Sequence, residues 1–463
     1  MMGDQLTQSL NYICLDADNP ISIYSGGCPC CTFYPPDSFQ LPSKTIESSL
    51  SLDGQSKNLE TEPLMSSPLQ IMQKINQFYT ASNTTKTRID QKTITIVDTH
   101  SHAHLDRKPI LDYNLSTSVD EEKNRNSENF DYNIDVVSLI CAISPNDWER
   151  TIDYVSKSSL LLPALGVHPW YIEDTFRRDH HNEKNEAEKM QVQNNYLREL
   201  ESLLLKHPSC FVGEIGLCQS AKNIRFHPNG KKAGLQQQMQ FFEEQFRLAA
   251  KLQRGVTIHC VGYHKEMLKI LISIRDEVLS SSASFDKNHE EVITNVQTKL
   301  KESFPPVMSF HSFSGSAHFV NEILSLEESI LFPNKLTISN NTAKKESRKK
   351  KSQFDPKAAI HAKSNESPMF YFGFSHYVNV SMISNSSSTK SQQRNKLALQ
   401  AIPLNRVLIE SDLSNSKNAL LGTVGATGYL SQILGKSLEK DILPIMTENG
   451  LRFLNTGIRL NSL

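Results

Sequence analysis

From Thr93 onward, short apolar and β-branched runs alternate with stretches whose apolar residues recur every three or four positions. The runs are TITIVD, DVVSLICAI, LLLPALGV, CFVGEIGL, GVTIHC, PPVMSFHSF, MFYFGFS and RVLIESD, eight in all. Two of the intervening stretches read clearly as helices. In SPNDWERTIDYVSKS, Ser144 opens a capping box that Asp147 completes, Pro145 takes the first helical position, and Trp148, Ile152 and Val155 form one stripe. In LQQQMQFFEEQFRLAAKLQRG, the stripe is Leu235, Met239, Phe242, Phe246 and Ala249, and Gly255 is the stop signal. Strands alternating with helices predict parallel β-α-β units, and eight units predict an α/β fold closed as a TIM-like (β/α)8 barrel of ~250 residues.

The polar stretches divide the rest of the chain. Residues 1–92 are rich in Ser, Pro, Asn and Gln and predict a mostly irregular N-terminal extension, with one helix at PLQIMQKINQFYT. Residues 93–463 hold the barrel, lengthened by polar inserts near 107–132, 174–195, 280–302, 340–366 and 384–395 that have the composition of solvated loops. One insert carries the basic run KKESRKKK, Lys344 to Lys351, which reads as a solvated loop or as a nuclear-targeting or nucleic-acid patch.

The bulk numbers narrow the classes. With 49 Lys plus Arg against 50 Asp plus Glu, no global positive field recruits nucleic acid, so any such binding must be local. Cys141, Cys210, Cys218 and Cys260 lie in or beside apolar runs and read as reduced, packed thiols, while Cys28, Cys30 and Cys31 in GGCPCC lack the second pair a zinc site would need. The N-terminus has no basic segment followed by an apolar stretch, and no apolar run approaches the ~20 residues of a membrane helix. The expectation is a soluble cytoplasmic or nuclear protein with no membrane partner.

Chemistry collects at the ends of the predicted strands. The first ends in IVDTHSHAHLD, with Asp98, His100 and His102; later ones end in His168, Glu214, His259, His311, and Glu410 with Asp412. The C-terminal strand ends of such a barrel meet at one mouth. A single histidine there is more often a satisfied polar residue than a ligand, but this many, separated by whole units, are hard to explain as packing. Mixed nitrogen and oxygen ligands suit zinc, manganese or iron, and six are too many for one tetrahedral ion but fit two ions with a bridging carboxylate.

These motifs, in this order, resemble the TatD family of metal-dependent hydrolases: VDTHSH, ALGVHPW, FVGEIGL, QQQMQFFEEQFRLAAKLQRGVTIHC, MSFHSFSG, FYFGFS, RVLIESD and MTENGLRFL, over residues 94 to about 455. The long inserts suggest a eukaryotic, fungal-like branch. The resemblance implies a barrel of the metal-dependent hydrolase type with two divalent ions (Mg, Mn or Zn), acting on DNA or another phosphodiester. It further implies that His100 and His102 hold one ion with Asp412, that Glu214 bridges, that His259 and His311 hold the second, and that His168 reaches substrate. Asp412, Glu214 and His168 are then the catalytic residues. A rival frame, His102-Ala-His104-Leu-Asp106, matches the family's following Leu-Asp; the first is preferred because Asp98 abuts the strand, which leaves His104 behind the ligands or facing solvent.

Three departures stand out. Val261 replaces the family's Arg two residues after His259, Cys218 replaces an Asp, and no Pro follows Asp412. None removes an expected ligand, but the first removes a phosphate contact and predicts weakened nuclease action. Two alternatives therefore stand beside the hydrolase: a weak or inactive barrel that binds a protein partner through its inserts, and a different hydrolase of esters or amides. The latter is disfavoured because no strand ends in a Lys suited to a carbamylated metal bridge.

Overall fold

The structure is a computed structural model that describes residues 93–106, 133–173, 186–281, 290–333, 367–384 and 388–458. The N-terminal extension, its expected helix, the cluster of Cys28, Cys30 and Cys31, the run Lys344 to Lys351 and the inserts 107–132 and 340–366 lie outside the described residues.

Eight parallel strands follow one another in a single sheet in chain order: β1 (Thr93–Ser101), β2 (Asn133–Cys141), β3 (Leu161–Leu165), β4 (Phe211–Cys218), β5 (Val256–Val261), β6 (Met308–Phe310), β7 (Phe370–Ser375) and β8 (Val407–Glu410). Backbone bonds join the last strand's exit to the first: Asp412 N–H donates to His100 O at 2.9 Å and His102 N–H to Leu413 O at 3.0 Å. Helices α1 (Trp148–Val155), α2 (Glu186–Lys206), α3 (Gly230–Leu252), α4 (His264–Ser281), α5 (Glu290–Glu302), α6 (Ala317–Leu331), α7 (Thr389–Ala401), α8 (Ser416–Leu434) and α9 (Leu443–Gly457) link the strands and cover them. This is the TIM-like (β/α)8 barrel that the alternation predicts. Three stretches expected as loops are partly helical, since α2 and α7 begin inside 174–195 and 384–395 and α5 fills the end of 280–302. Their exposed faces are polar, which lowers apolar content without lowering helix propensity.

Strand residues alternate between two cores. Val256, Ile258, Phe370, Phe372, Phe374, Val407 and Ile409 face outward into the cluster shared with the helices. Val97, Leu139, Cys141, Ala164, Phe211, Tyr371 and Leu408 face inward, and Phe453 and Leu454 of α9 join them. The pairing register shifts between Asp98 and Ser101 on β1 and between Val212 and Ile215 on β4. Each irregularity swaps which alternate residues face inward. Val97 is inward, yet so are His100 and His102; Phe211 is inward, yet so is Glu214. The site therefore depends on two departures from ideal strand pairing.

Helix ends differ slightly from expectation. Half of the Ser144 capping box forms, with Ser144 N–H donating to Asp147 Oδ1 at 3.0 Å, but regular helix starts only at Trp148. Helix α3 ends at Gln253, φ 51°, two residues before Gly255, because the Gln253 amide donates to Ala250 O and Phe304 O and holds the left-handed turn.

Candidate metal centre

Glu214, 2% exposed, stands at the centre of the barrel mouth. Its Oε2 lies 3.3 Å from His100 Nε2 and 3.4 Å from His102 Nε2. Its Oε1 lies 2.7 Å from His311 Nε2, 2.8 Å from His259 Nδ1 and 3.2 Å from His168 Nε2. Asp412 Oδ1 approaches His102 Nε2 at 3.6 Å and His100 Nε2 at 3.9 Å. The structure thus gathers the seven residues to which the family resemblance gives a role, His100, His102, His168, Glu214, His259, His311 and Asp412, while Glu410 and Asp98, also at strand ends, are not in the ligand groups. Three groups can each present ligand atoms to one ion: His100, His102 and Glu214; His100, His311 and Asp412; and His168, Glu214 and His259. The last two differ from the division between ions that the family resemblance implies.

The surroundings set which atoms face the centre. His102 Nδ1–H donates to Cys141 O at 2.7 Å, which leaves Nε2 as the lone-pair atom toward the site. Thr257 Oγ1 lies 2.8 Å from His100 Nδ1 and holds that ring with Nε2 toward the centre. His168 has the opposite arrangement. Its Nδ1 accepts from Trp170 N–H at 3.2 Å, so its proton sits on Nε2, aimed at Glu214. His168 is placed as a donor, not as a lone-pair ligand through that atom. His104 turns away: its Nε2 pairs with Asp147 Oδ2 at 3.0 Å and it is 1% exposed, so it is neither a ligand nor facing solvent.

Several groups that sequence reasoning passed over complete the site. Ser312 and Asp412 are non-glycine residues in the left-handed region, φ 41° and 54°. Val378 N–H donates to Ser375 Oγ at 3.1 Å, Ser375 and Ser312 hydroxyls meet at 2.7 Å, and Ser312 Oγ–H donates to Asp412 Oδ2 at 2.6 Å. The chain has one direction, because the carboxylate can only accept. It fixes Oδ2 and leaves Oδ1 toward the histidines. Glu410 is not part of the ligand cluster. It accepts from Ser312 N–H and from Thr99 Oγ1, and Gly373 makes room for it, since a Cβ there would lie 2.1 Å from Glu410 Oε2. Nothing in the sequence announces these contacts, whose partners stand up to 311 residues apart.

The protonation pattern is that of a pocket built for positive charge. Although burial opposes ionisation, the imidazoles of His311 and His168 hold Glu214 well below the usual carboxylate range. Burial likewise works against Asp412, whose carboxyl the His102 bond keeps low. Burial opposes charge on His102 too, yet Asp412 and Glu214 lift it to about 10, whereas burial and the neighbouring His311 push His100 down to about 3. Burial drives Glu410 well above, and Asp98 up to about 7. Meanwhile ring nitrogens face each other, His100 Nε2 to His102 Nε2 at 3.3 Å and His259 Nδ1 to His311 Nε2 at 3.0 Å. Asp412 Oδ1, His311 Nδ1 and His259 Nε2 are buried with no hydrogen-bond partner among the described residues. Burial opposes charge on His259 as well, yet Cys218 and Glu214 lift it to about 10. Four imidazoles and two carboxylates packed this closely favour positive charge among them, which protons on His102 and His259 supply in the bare site and a divalent metal would supply in their place, so the residues fit a divalent metal.

An eight-stranded parallel barrel with imidazoles and carboxylates placed for metal binding at its mouth defines the class. The family model described as TatD related DNase matches residues 97–354, and the chain belongs to that family. A relative, Cut9-interacting protein scn1 of Schizosaccharomyces pombe, is 23% identical over 222 residues, which is 40% of this chain and, just under two thirds, 66% of that protein. Among solved structures, the TatD homolog YJJV of Escherichia coli K12 is 16% identical, with a TM-score of 0.44 over 78% of this chain and 98% of that one. An uncharacterized amidohydrolase of Saccharomyces cerevisiae is 17% identical, with a TM-score of 0.42 over 69% and 88%. No helix among the described residues is long and apolar enough to cross a membrane.

Proposed function

We propose that this chain is a divalent-metal-dependent hydrolase that cleaves phosphodiester bonds in DNA, in the cytoplasm or nucleus. The observation that carries this reading is the convergence of His100, His102, Glu214, His259, His311 and Asp412, with buried lone pairs that have no other partner. In it, His100, His102 and Asp412 would hold one ion and His259 and His311 a second, with Glu214 shared between them, as the family resemblance implies. Bound there, such ions supply Lewis-acid activation of water and neutralise charge on the phosphodiester. Asp412, whose carboxyl is held below its ordinary range, would serve as the general base for the attacking water while Ser312 anchors its Oδ2. General-base help of this kind is worth ~10² to 10⁴-fold. His168 offers its Nε2–H to a phosphoryl oxygen. The mouth is walled by buried residues, which keeps these charges in a weakly screening environment.

A partner-binding role is the second reading, supported by Val261 and by a relative named for its interaction with Cut9. The test assays purified protein on single- and double-stranded DNA with magnesium or manganese, beside Val261→Arg and Asp412→Asn. Metal-dependent cleavage abolished by Asp412→Asn upholds the hydrolase. A wild type inert with every metal, and an Arg variant that gains nothing, hands the case to the partner-binding reading.

A further inference from the structure

Between Glu214 and Glu243 the chain carries no acidic residue, yet it holds Lys222, Arg225, His227, Lys231 and Lys232. On a chain whose formal net charge is -1, this is a local concentration of positive charge, and it follows the strand that supplies Glu214. All four Lys and Arg side chains are exposed, and Lys222, Lys231 and Lys232 pair with no carboxylate among the described residues. Between them stands Phe226, 75% exposed, the one aromatic side chain in the exposed class among the described residues.

The segment is seated firmly. The buried Gln238 amide accepts from Cys218 N–H at 2.9 Å and donates to Cys218 O at 3.1 Å and Asn223 Oδ1 at 2.8 Å. Gly234 permits the close approach, since a Cβ there would lie 2.2 Å from Asn223 O. Beneath the turn Lys222–Arg225, Ala221 and Ile224 form an apolar patch with Cys218, against which Trp170, Val261 and Tyr263 pack. Val261 therefore packs against the apolar seat of the basic turn, and partly exposed Trp170 links that seat to the metal centre, its Nε1–H donating to Cys218 Sγ at 3.2 Å and its backbone N–H to His168 Nδ1 at 3.2 Å.

We propose that this face, with Lys222, Arg225, Phe226, Lys231 and Lys232, docks single-stranded nucleic acid and feeds it to the metal centre. The proposal rests on the phosphodiesterase reading above. Exposed cations suit a phosphate backbone, and an exposed ring beside them suits an unpaired base, which a duplex keeps stacked. The positive charge that Val261 cannot offer to phosphate is then supplied by the turn resting on it.

The test uses the full chain with its divalent metal and a short fluorescent DNA strand with cleavage-resistant phosphorothioate linkages, followed by anisotropy. Phe226→Ala is expected to weaken single-strand binding about five- to a hundredfold and to leave duplex binding unchanged. Replacing Lys222, Lys231 and Lys232 together by Ala should flatten the log-log salt dependence by about 2, at ~0.7 per phosphate contact. Wild-type affinity in both variants, equal dependence of the duplex on Phe226, or equal binding of poly-glutamate overturns the proposal. Hydrolysis of bis(4-nitrophenyl) phosphate, which has no strand to dock, separates the two readings. Hydrolysis without strand binding refutes the docking face alone, and strand binding without metal-dependent hydrolysis refutes the hydrolase alone.

Discussion

Replacing Ser312 with Ala removes one oxygen, 2.6 Å from Asp412 Oδ2 and 2.7 Å from Ser375 Oγ. The backbone gains little strain, because serine already carries the left-handed conformation at φ 41°. The variant gives up a hydrogen bond to a carboxylate inside a buried site, worth roughly 1.5–3 kcal/mol. Freed of its anchor, Asp412 can rotate, and Oδ1 is no longer held toward His100 and His102. At ~1.4 kcal/mol per tenfold, the loss corresponds to about ten- to a hundredfold weaker metal binding, the size usual for residues that orient ligands. The assay is calorimetric titration of metal-free protein with manganese, for wild type, Ser312→Ala, Asp412→Asn and the double variant. The Ser312→Ala effect should vanish in the Asp412→Asn background, which a general loss of stability would not produce. Wild-type affinity within twofold, or additive losses in the double variant, refutes the hydroxyl chain as the device that aims Asp412.

Gly373→Ala places a methyl against Glu410, which cannot swing aside while bound to Thr99 and Ser312, so thermal denaturation should show about 1–3 kcal/mol of destabilisation. Asp98 has a folded pKa of about 7 against an ordinary 3.8, so it favours folding below about pH 4 and loses that contribution as pH rises to 7. Urea titrations of metal-free protein across that window should show wild type losing on the order of 4 kcal/mol relative to Asp98→Asn; parallel profiles would contradict it. His104→Ala should leave metal stoichiometry in equilibrium dialysis unchanged, while His102→Ala lowers it, because His104 is turned to Asp147; the reverse would favour the rival frame.

The barrel was legible because its strands are short, apolar and separated by helical repeats, and outward-facing positions such as Phe370, Phe372 and Phe374 are set by local alternation. The site residues were legible for a related reason: polar residues at strand ends have only the mouth to face. The sequence did not disclose how β1 and β4 turn their site residues inward, because a strict two-residue alternation from Val97 or Phe211 would point His100 and Glu214 outward. Nor did it disclose Ser312, Ser375 and Gly373, whose roles arise from barrel closure rather than from local pattern. The helices α2, α5 and α7 were hidden by polar composition, which exposed helices and loops share.

The central claim is that six side chains at the barrel mouth hold divalent ions. Anomalous diffraction from crystals grown with manganese or zinc tests it most directly. The account expects two peaks, one on each side of Glu214, with ligand atoms of His100, His102, His259, His311 and Asp412 at about 2.0–2.2 Å. A mouth without a peak, or an ion held by His104 and Asp147 instead, would contradict it.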